Sequence, residues 1–212
     1  MPEDNISALL ENGVVQLQLD LSSEQKKKLL DYVKLLSHWN KAYNLTAIRD
    51  EGEMMIKHIL DSLAVVPLFE GSESIIDIGS GPGLPGIPLA ICYPQTAVTT
   101  VDSNGKKTRF MQHAVTSLGL LNVTVLNQRA EKISTDKKYA AVTSRAFTSL
   151  VDMVEKTAHL LQTNGQFLAM KGIYPTQELS ELPAGYKVTA VHQLKVPDLE
   201  AERHLVAIAL DQ

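Results

Sequence analysis

Cysteine is nearly absent from this chain of 212 residues. The single Cys92 excludes an intrachain disulfide framework and the three-cysteine cradle that radical chemistry on an iron–sulfur cluster requires. The six histidines, at 38, 58, 113, 159, 192 and 204, show no metal-ligand spacing with one another, so no metal site is expected. No apolar run reaches the roughly 20 residues of a membrane span. The N-terminus, MPEDNISALLENG, is acidic and lacks the basic-then-apolar order of a signal peptide, so a soluble cytoplasmic protein is expected. A formal net charge of −4 excludes a wholly basic face that coats nucleic acid but leaves a local basic patch open. Internal repeats and low-complexity segments are also missing.

What is present is enough apolar residue, 44% of the chain, for one domain of ordinary size with an extension. Residues 1–70 read as a helical cap. Ser22 and Gln25 form a capping box, after which Leu29, Val33, Leu36 and Tyr43 recur on one helical face, interrupted near Trp39 and Asn40. A second helix is predicted from Glu53 to about Phe69, with Met55, Ile59, Leu63 and Val66 on its apolar face and Pro67 near its end.

Residues 71–212 alternate short apolar runs with helical patterns. The runs are IIDI at 75–78, AVTTVD at 97–102, VTVL at 123–126, YAAVTS at 139–144 and QFLAM at 166–170, which predicts an α/β fold on a parallel sheet. The clearest helix between them, 104–118, buries Phe110, Met111, Ala114, Val115 and Leu118. At the end, YKVTAVHQLKV and RHLVAIAL follow one another without a helix, so an antiparallel pair closes the sheet.

The segment IIDIGSGPGLPGIPLAI at 75–91 passes from a buried strand through Gly79, Gly81, Gly83 and Gly86 into a helix whose first turn suits Pro85 and Pro88. Glycines let backbone approach a ligand closely, and a helix start offers free N–H groups to carboxylate or phosphate. An adenosine-bearing cofactor is therefore expected here rather than a turn made only for packing. Gly81, Gly83 and Gly86 also fit the dinucleotide fingerprint, with Asp102 placed to accept from ribose hydroxyls or, alternatively, to cap a helix. Asp77 favours S-adenosylmethionine, because a carboxylate beside the turn repels a pyrophosphate and attracts an ammonium and a sulfonium.

Other segments converge on the same edge of the sheet. Arg145 ends the fourth strand and faces the site; Ala130 and Glu131, after the third strand, line the adenine through their backbone, although Arg129 and Glu131 also read as loop charges. Lys106, Lys107 and Arg109 crowd a helix start, where acidic residues are the usual choice; an anionic partner explains them, as does plain solvated surface charge.

Taken together, WNKAYNLTAIRD at 39–50, KHILDSL at 57–63, DIGSGPGLPGIPLAI at 77–91, VDSNGKK at 101–107, RAE at 129–131, SRAF at 144–147, MKG at 170–172 and ERHLV at 202–206 resemble the bacterial RsmG (GidB) family over nearly the whole chain. That family comprises guanine-N(7) methyltransferases of small-subunit 16S ribosomal RNA. The resemblance implies a Rossmann-like methyltransferase fold and puts the family's cofactor positions on Gly79, Leu84, Ala130, Glu131 and Arg145. Position 84 is often phenylalanine in the family; leucine here keeps an apolar contact. Asp77, Gly81 and Asp102 join the cofactor set by the arguments above.

The resemblance also rereads the helical cap. Trp39 or His58 taken alone is an ordinary packed helix residue, but in the family this cap flanks the cofactor cleft, so Asn40, Asn44, Arg49, Lys57 and His58 become RNA-side candidates. Lys106, Lys107, Arg109, Lys137, Lys138, Lys171 and Arg203 are candidates for phosphate contacts. Guanine N7 has an exposed lone pair and no proton, so no general base is expected and Arg145 positions the reactants. The Asn/Asp-Pro-Pro-aromatic loop of amino-group methylation is absent. The implied partner is the small ribosomal subunit or an assembly intermediate, with no membrane and no stable protein partner, the chain acting as a monomer. On residues alone, an NAD-type oxidoreductase, a small-molecule methyltransferase and an RNA-binding module with a vestigial cleft remain alternatives.

Overall fold

A computed structural model describes residues 3–145, 147 and 149–211. The alternating apolar runs form β1 (Ser74–Ile78), β2 (Ala97–Val101), β3 (Val123–Leu126), β4 (Tyr139–Ser144) and β5 (Leu161–Lys171), all mutually parallel. The two final runs form β6 (Tyr186–Leu194) and β7 (Arg203–Leu210), and β7 lies antiparallel between β5 and β6. The seven strands follow the order β3-β2-β1-β4-β5-β7-β6. The order reverses between β1 and β4, where an open α/β sheet leaves a crevice at its carboxyl edge.

Both faces are covered, as the burial of every β1 residue requires. On one face, α5 (Gly86–Cys92) and α6 (Gly105–Ser117) pack with the N-terminal helices into one apolar cluster. On the other, α7 (Leu150–Thr157) and the C-terminal strands enclose a second cluster around Met153, Phe167 and Ile208. The predicted stripe of α6 is buried throughout, from Phe110 to Leu118. Only β5 departs clearly from its expected length. It starts five residues before QFLAM, since exposed Thr163 and Asn164 interrupt the apolar signal while the backbone is already paired.

The cap comprises α1 (Glu3–Gln16), α2 (Ser23–Tyr43) and a third helix that is not the single span predicted from Glu53 to Phe69. Asp50 caps α3 (Glu51–Met54), a π-helical stretch covers Met55–Leu60, α4 (Asp61–Leu63) follows, and Pro67 falls in a separate 3-10 turn, Val66–Phe69. The wide turn shows as a bond from the Asp61 amide to the Ile56 carbonyl, a spacing that periodicity of 3.6 residues does not anticipate. Tyr43 also differs from expectation. It is exposed at the end of α2 and stacks on Trp39, while Leu29, Val33 and Leu36 are buried as read.

Two polar contacts tie α2 to the sheet half. The Ser22–Gln25 capping box is complete, and the Gln25 amide also donates to the carbonyls of Ile91 and Cys92 at the end of α5, each at 3.0 Å. The fully buried Tyr32 hydroxyl donates to the Pro82 carbonyl at 2.7 Å, and burial raises its pKa. Gln25 therefore serves two helix ends at once. Gln25→Ala is expected to lower unfolding free energy by about 1–2 kcal/mol in urea titrations, the loss of a cap together with two part-buried carbonyls left unpaired.

Candidate functional site

The turn after β1 is built from positive-φ glycines, with φ of 67° at Gly79 and 60° at Gly81. At φ near 60° any side chain is strained, so glycine at 81 lets the chain double back under a ligand. Three side chains fix the result. The Gly81 amide donates to Asp102 Oδ2 at 2.9 Å, the Gly86 amide donates to Asp77 Oδ2 at 2.9 Å, and Tyr32 holds Pro82 from the cap. Gly86 is required for a different reason: a Cβ there would lie 2.7 Å from Thr100 Cγ2 and 2.9 Å from Asp77 Oδ2.

Asp77 accordingly does something other than expected. It is fully buried beneath the turn instead of standing on the cleft wall against the cofactor's positive groups, and its Oδ1 has no hydrogen-bond partner among the described residues. Burial pushes its pKa up to about 6, against the opposing pull of the Gly86 amide. A strand residue immediately before a tight turn points into the sheet-helix interface when the helix folds back over it, and that geometry is invisible in spacing.

Three adjoining cavities open at the carboxyl edge. The first, about 420 Å³, is lined by Ile78, Val101, Phe147 and Ala130 as apolar walls and by Gly79, Asp102, Lys107 and Glu131 as polar ones. The second, about 200 Å³, lies over Gly79, Ser80, Gly81 and Leu84 and is closed by Thr46, His58, Lys107 and Arg145. The third, about 550 Å³, is bordered by Lys57, His58, Asp61, Arg145, Lys171 and Arg203. Gly79 and Lys107 border the first two, and His58 and Arg145 border the second and third, so the three form one cleft. Asp102 lines the first cavity. Its oxygens already take the amides of Gly81 and Asn104, and Lys107 Nζ approaches to 3.9 Å.

Charge is unevenly placed along the cleft. The third cavity gathers Lys57, Arg145, Lys171 and Arg203, of which Lys57 pairs with Glu53 and Lys171 with Glu178. His58 between them is uncharged at neutral pH, since burial first and Arg145 second lower its pKa to about 4. Its Nδ1 faces the Lys57 carbonyl at 3.1 Å and so carries the proton, which leaves Nε2 to accept from the Thr46 hydroxyl at 2.9 Å.

Several RNA-side candidates fall away from this cleft. Asn40 is buried and spent on the loop after α2, donating to the Ile48 carbonyl and accepting from the Thr46 amide. Lys137 and Lys138 precede β4 at the opposite edge of the sheet, Lys137 over the Tyr139 ring and Lys138 on the His159 carbonyl. Asn44 and Arg49 bond to each other at 3.0 Å on the exposed cap surface, and Lys106 and Arg109 are exposed on α6 outside the cavity walls. Within the SRAF motif, Ala146 lies outside the described residues. Residues not singled out beforehand are Asp61, Thr46, Tyr32 and Phe147. Asp61 shares MMIKHILDSL with Lys57, His58 and Ser62, so its carboxylate does not stand out there among polar neighbours.

Residues 25–206 match the family model described as GidB, rRNA small subunit methyltransferase G. The chain is 50% identical over 206 residues to the ribosomal RNA small subunit methyltransferase G of Aromatoleum aromaticum, covering 95% of this chain and 98% of that one. It is 49% identical to the protein of the same name from Alteromonas mediterranea, over 96% of each chain. Among solved structures, a SAM-dependent methyltransferase from Aquifex aeolicus superposes with a TM-score of 0.61 at 17% identity, over 82% of this chain and 98% of that one, which is a likeness of fold.

The buried carboxylate beneath the turn yields a pH test. With a folded pKa near 6 against an ordinary 3.8, Asp77 binds its proton more tightly when folded, so its contribution is largest in acid and is lost as pH rises through 6. In denaturant titrations, the stability of Asp77→Asn relative to the native chain is expected to rise by about 1 kcal/mol between about pH 5 and pH 7. An offset that does not change with pH would show that Asp77 titrates normally.

Proposed function

Because the chain belongs to the GidB family, rRNA small subunit methyltransferase G, we propose that it transfers a methyl group from S-adenosylmethionine to ring nitrogen 7 of a guanine in 16S ribosomal RNA. The observation that carries this reading is the cleft itself: a glycine turn opening on one side to an adenosine-sized cavity and on the other to a cavity bordered by four cations.

The residues present fit the cofactor. Ile78, Val101 and Phe147 offer an apolar slot for a purine, Asp102 an acceptor for ribose hydroxyls, and the backbone of Ala130 and Glu131 a wall beside them. Gly79, Gly81 and Leu84 line the narrower space for the amino-acid portion. When bound, S-adenosylmethionine supplies a methyl group on a positively charged sulfur. Asp77 supports this site from below by fixing Gly86. Arg145 borders both the narrow space and the larger cavity, and in this reading it orients the two reactants.

Guanine N7 carries no proton, so this reading needs no base, and His58, the imidazole at the junction, has Nε2 and Nδ1 committed to Thr46 and Lys57. Lys57, Lys171 and Arg203 are suited to phosphates around the target, with Asn44, Arg49, Lys106 and Arg109 as a more distant exposed rim. The target base, within folded RNA, is presented in a loop or lifted from its stack. We place the protein in the cytoplasm, acting as a single chain on the small subunit or an assembly intermediate, with residues 1–70 as the cap of a catalytic domain over 71–212. Neither an NAD-type oxidoreductase nor a small-molecule methyltransferase is favoured, given the family.

Incubation with labelled S-adenosylmethionine and small subunits lacking the modification is expected to create one alkali-labile guanine, and calorimetry should detect S-adenosylmethionine binding but not NAD. Arg145→Ala should lower the rate by roughly 10²-fold through lost positioning. Above about pH 7, past the titrations of His58 near 4 and of Asp77 near 6, the native rate should stay flat. Label at another position, or a side-chain titration governing the rate above pH 7, would overturn the reading.

A further inference from the structure

Asp61 stands out among the charged groups of the cleft, because it is the anion at the centre of the cationic cavity and is itself almost wholly buried, at 2% exposure. Its Oδ2 accepts from Arg145 Nη1 at 3.1 Å and its Oδ1 from Arg203 Nε at 2.8 Å. The two arginines come from sequence positions 84 and 142 residues away, one at the end of β4 and the other at the start of β7. Each arginine also makes a backbone contact, Arg145 Nη1 to the Lys57 carbonyl at 3.4 Å and Arg203 Nη1 to the Glu202 carbonyl at 2.8 Å. Both arginine side chains remain 27% exposed at the cavity wall.

We propose that Asp61 is a positioning residue that holds Arg145 and Arg203 in fixed orientation, one toward the methyl donor and the other toward the RNA, and so registers the two halves of the reaction against each other. The inference rests on the RNA methyltransferase reading given above. A guanidinium has five donors in a planar fork, and fixing one edge on a carboxylate aims the remaining edge. An arginine free to rotate would lose that aim and would pay rotamer entropy on every encounter. Arg145 borders both the narrow cavity over the glycine turn and the large one, whereas Arg203 borders only the large one. The π-helical stretch ends at the residue before Asp61, and its wide bond from the Asp61 amide to Ile56 sets the carboxylate between the two strands' ends.

The proposal separates the two arginines experimentally. In Asp61→Asn, calorimetric affinity for S-adenosylmethionine is expected to fall several-fold through Arg145, and kcat/KM on small subunits to fall roughly 10- to 100-fold through both arginines. Arg203→Lys keeps the charge but loses the fork, and should raise KM for small subunits with cofactor affinity unchanged. The combination Asp61→Asn with Arg203→Lys should lose little more than Asp61→Asn alone, because residues that act as a unit are not additive. A merely structural role would lower the melting temperature and the active fraction without moving cofactor affinity and KM separately. Asp61→Asn within two-fold of native on every readout, or losses that multiply in the double variant, would overturn the proposal. Should Asp61→Asn fail to fold, Arg203→Lys decides it: an unchanged KM overturns the proposal as well. Failure of the native chain to label small subunits would instead defeat the methyltransferase reading.

Discussion

The bond from the Gly86 amide to Asp77 fixes where β1 stops and α5 starts, and the rest of the cleft is laid out from that junction. It forces the chain between them, 79–85, into a tight loop, and the loop's shape is then settled by Asp102 on Gly81 and Tyr32 on Pro82. Burying a carboxylate with one oxygen lacking a partner is costly, and burial drives the Asp77 pKa up to about 6. What it secures is a backbone whose amides and glycine surfaces stand open to a ligand without any side chain intervening.

The same economy explains how the cleft separates its chemistry. Near the turn the walls mix apolar side chains and backbone with both charges, Asp102 and Glu131 among Lys107, Arg129 and Lys156. Beyond His58 the walls become cationic, and the cations are each tethered: Lys57 to Glu53, Lys171 to Glu178, Arg145 and Arg203 to Asp61. Charges held in this way cost less to order when a polyanion arrives. A net charge of −4 for the whole chain conceals this local arrangement.

Much of this was legible in the sequence, and what was not has identifiable causes. The parallel strands, the antiparallel return and the glycine turn follow from periodicity and from glycine spacing. Membership of the family follows from motifs spread over the whole chain. Asp77 reads from the sequence as a charge beside the turn that favours a cationic cofactor, because spacing says which residue precedes a turn, but not which way the helix folds back over it and buries it. Asn40 is an RNA-side candidate on the resemblance, which sets the cap beside the cofactor cleft, whereas its amide is consumed by Thr46 and Ile48 in the loop it helps to shape. Asp61 escaped notice since its partners, Arg145 and Arg203, lie far along the chain and on different strands. Long-range pairing of charged groups leaves no periodic trace.

The hydroxyl of Tyr32 reaches from the middle of the second cap helix to a carbonyl of the glycine turn. With Gln25 gripping the end of α5 on the same helix, the cap is anchored at two points on the element that shapes the methyl-donor site. The cap helix, the glycine turn and the end of α5 are thereby joined by side chains of one helix, so a substitution in the middle of α2 reaches the turn without touching the cleft.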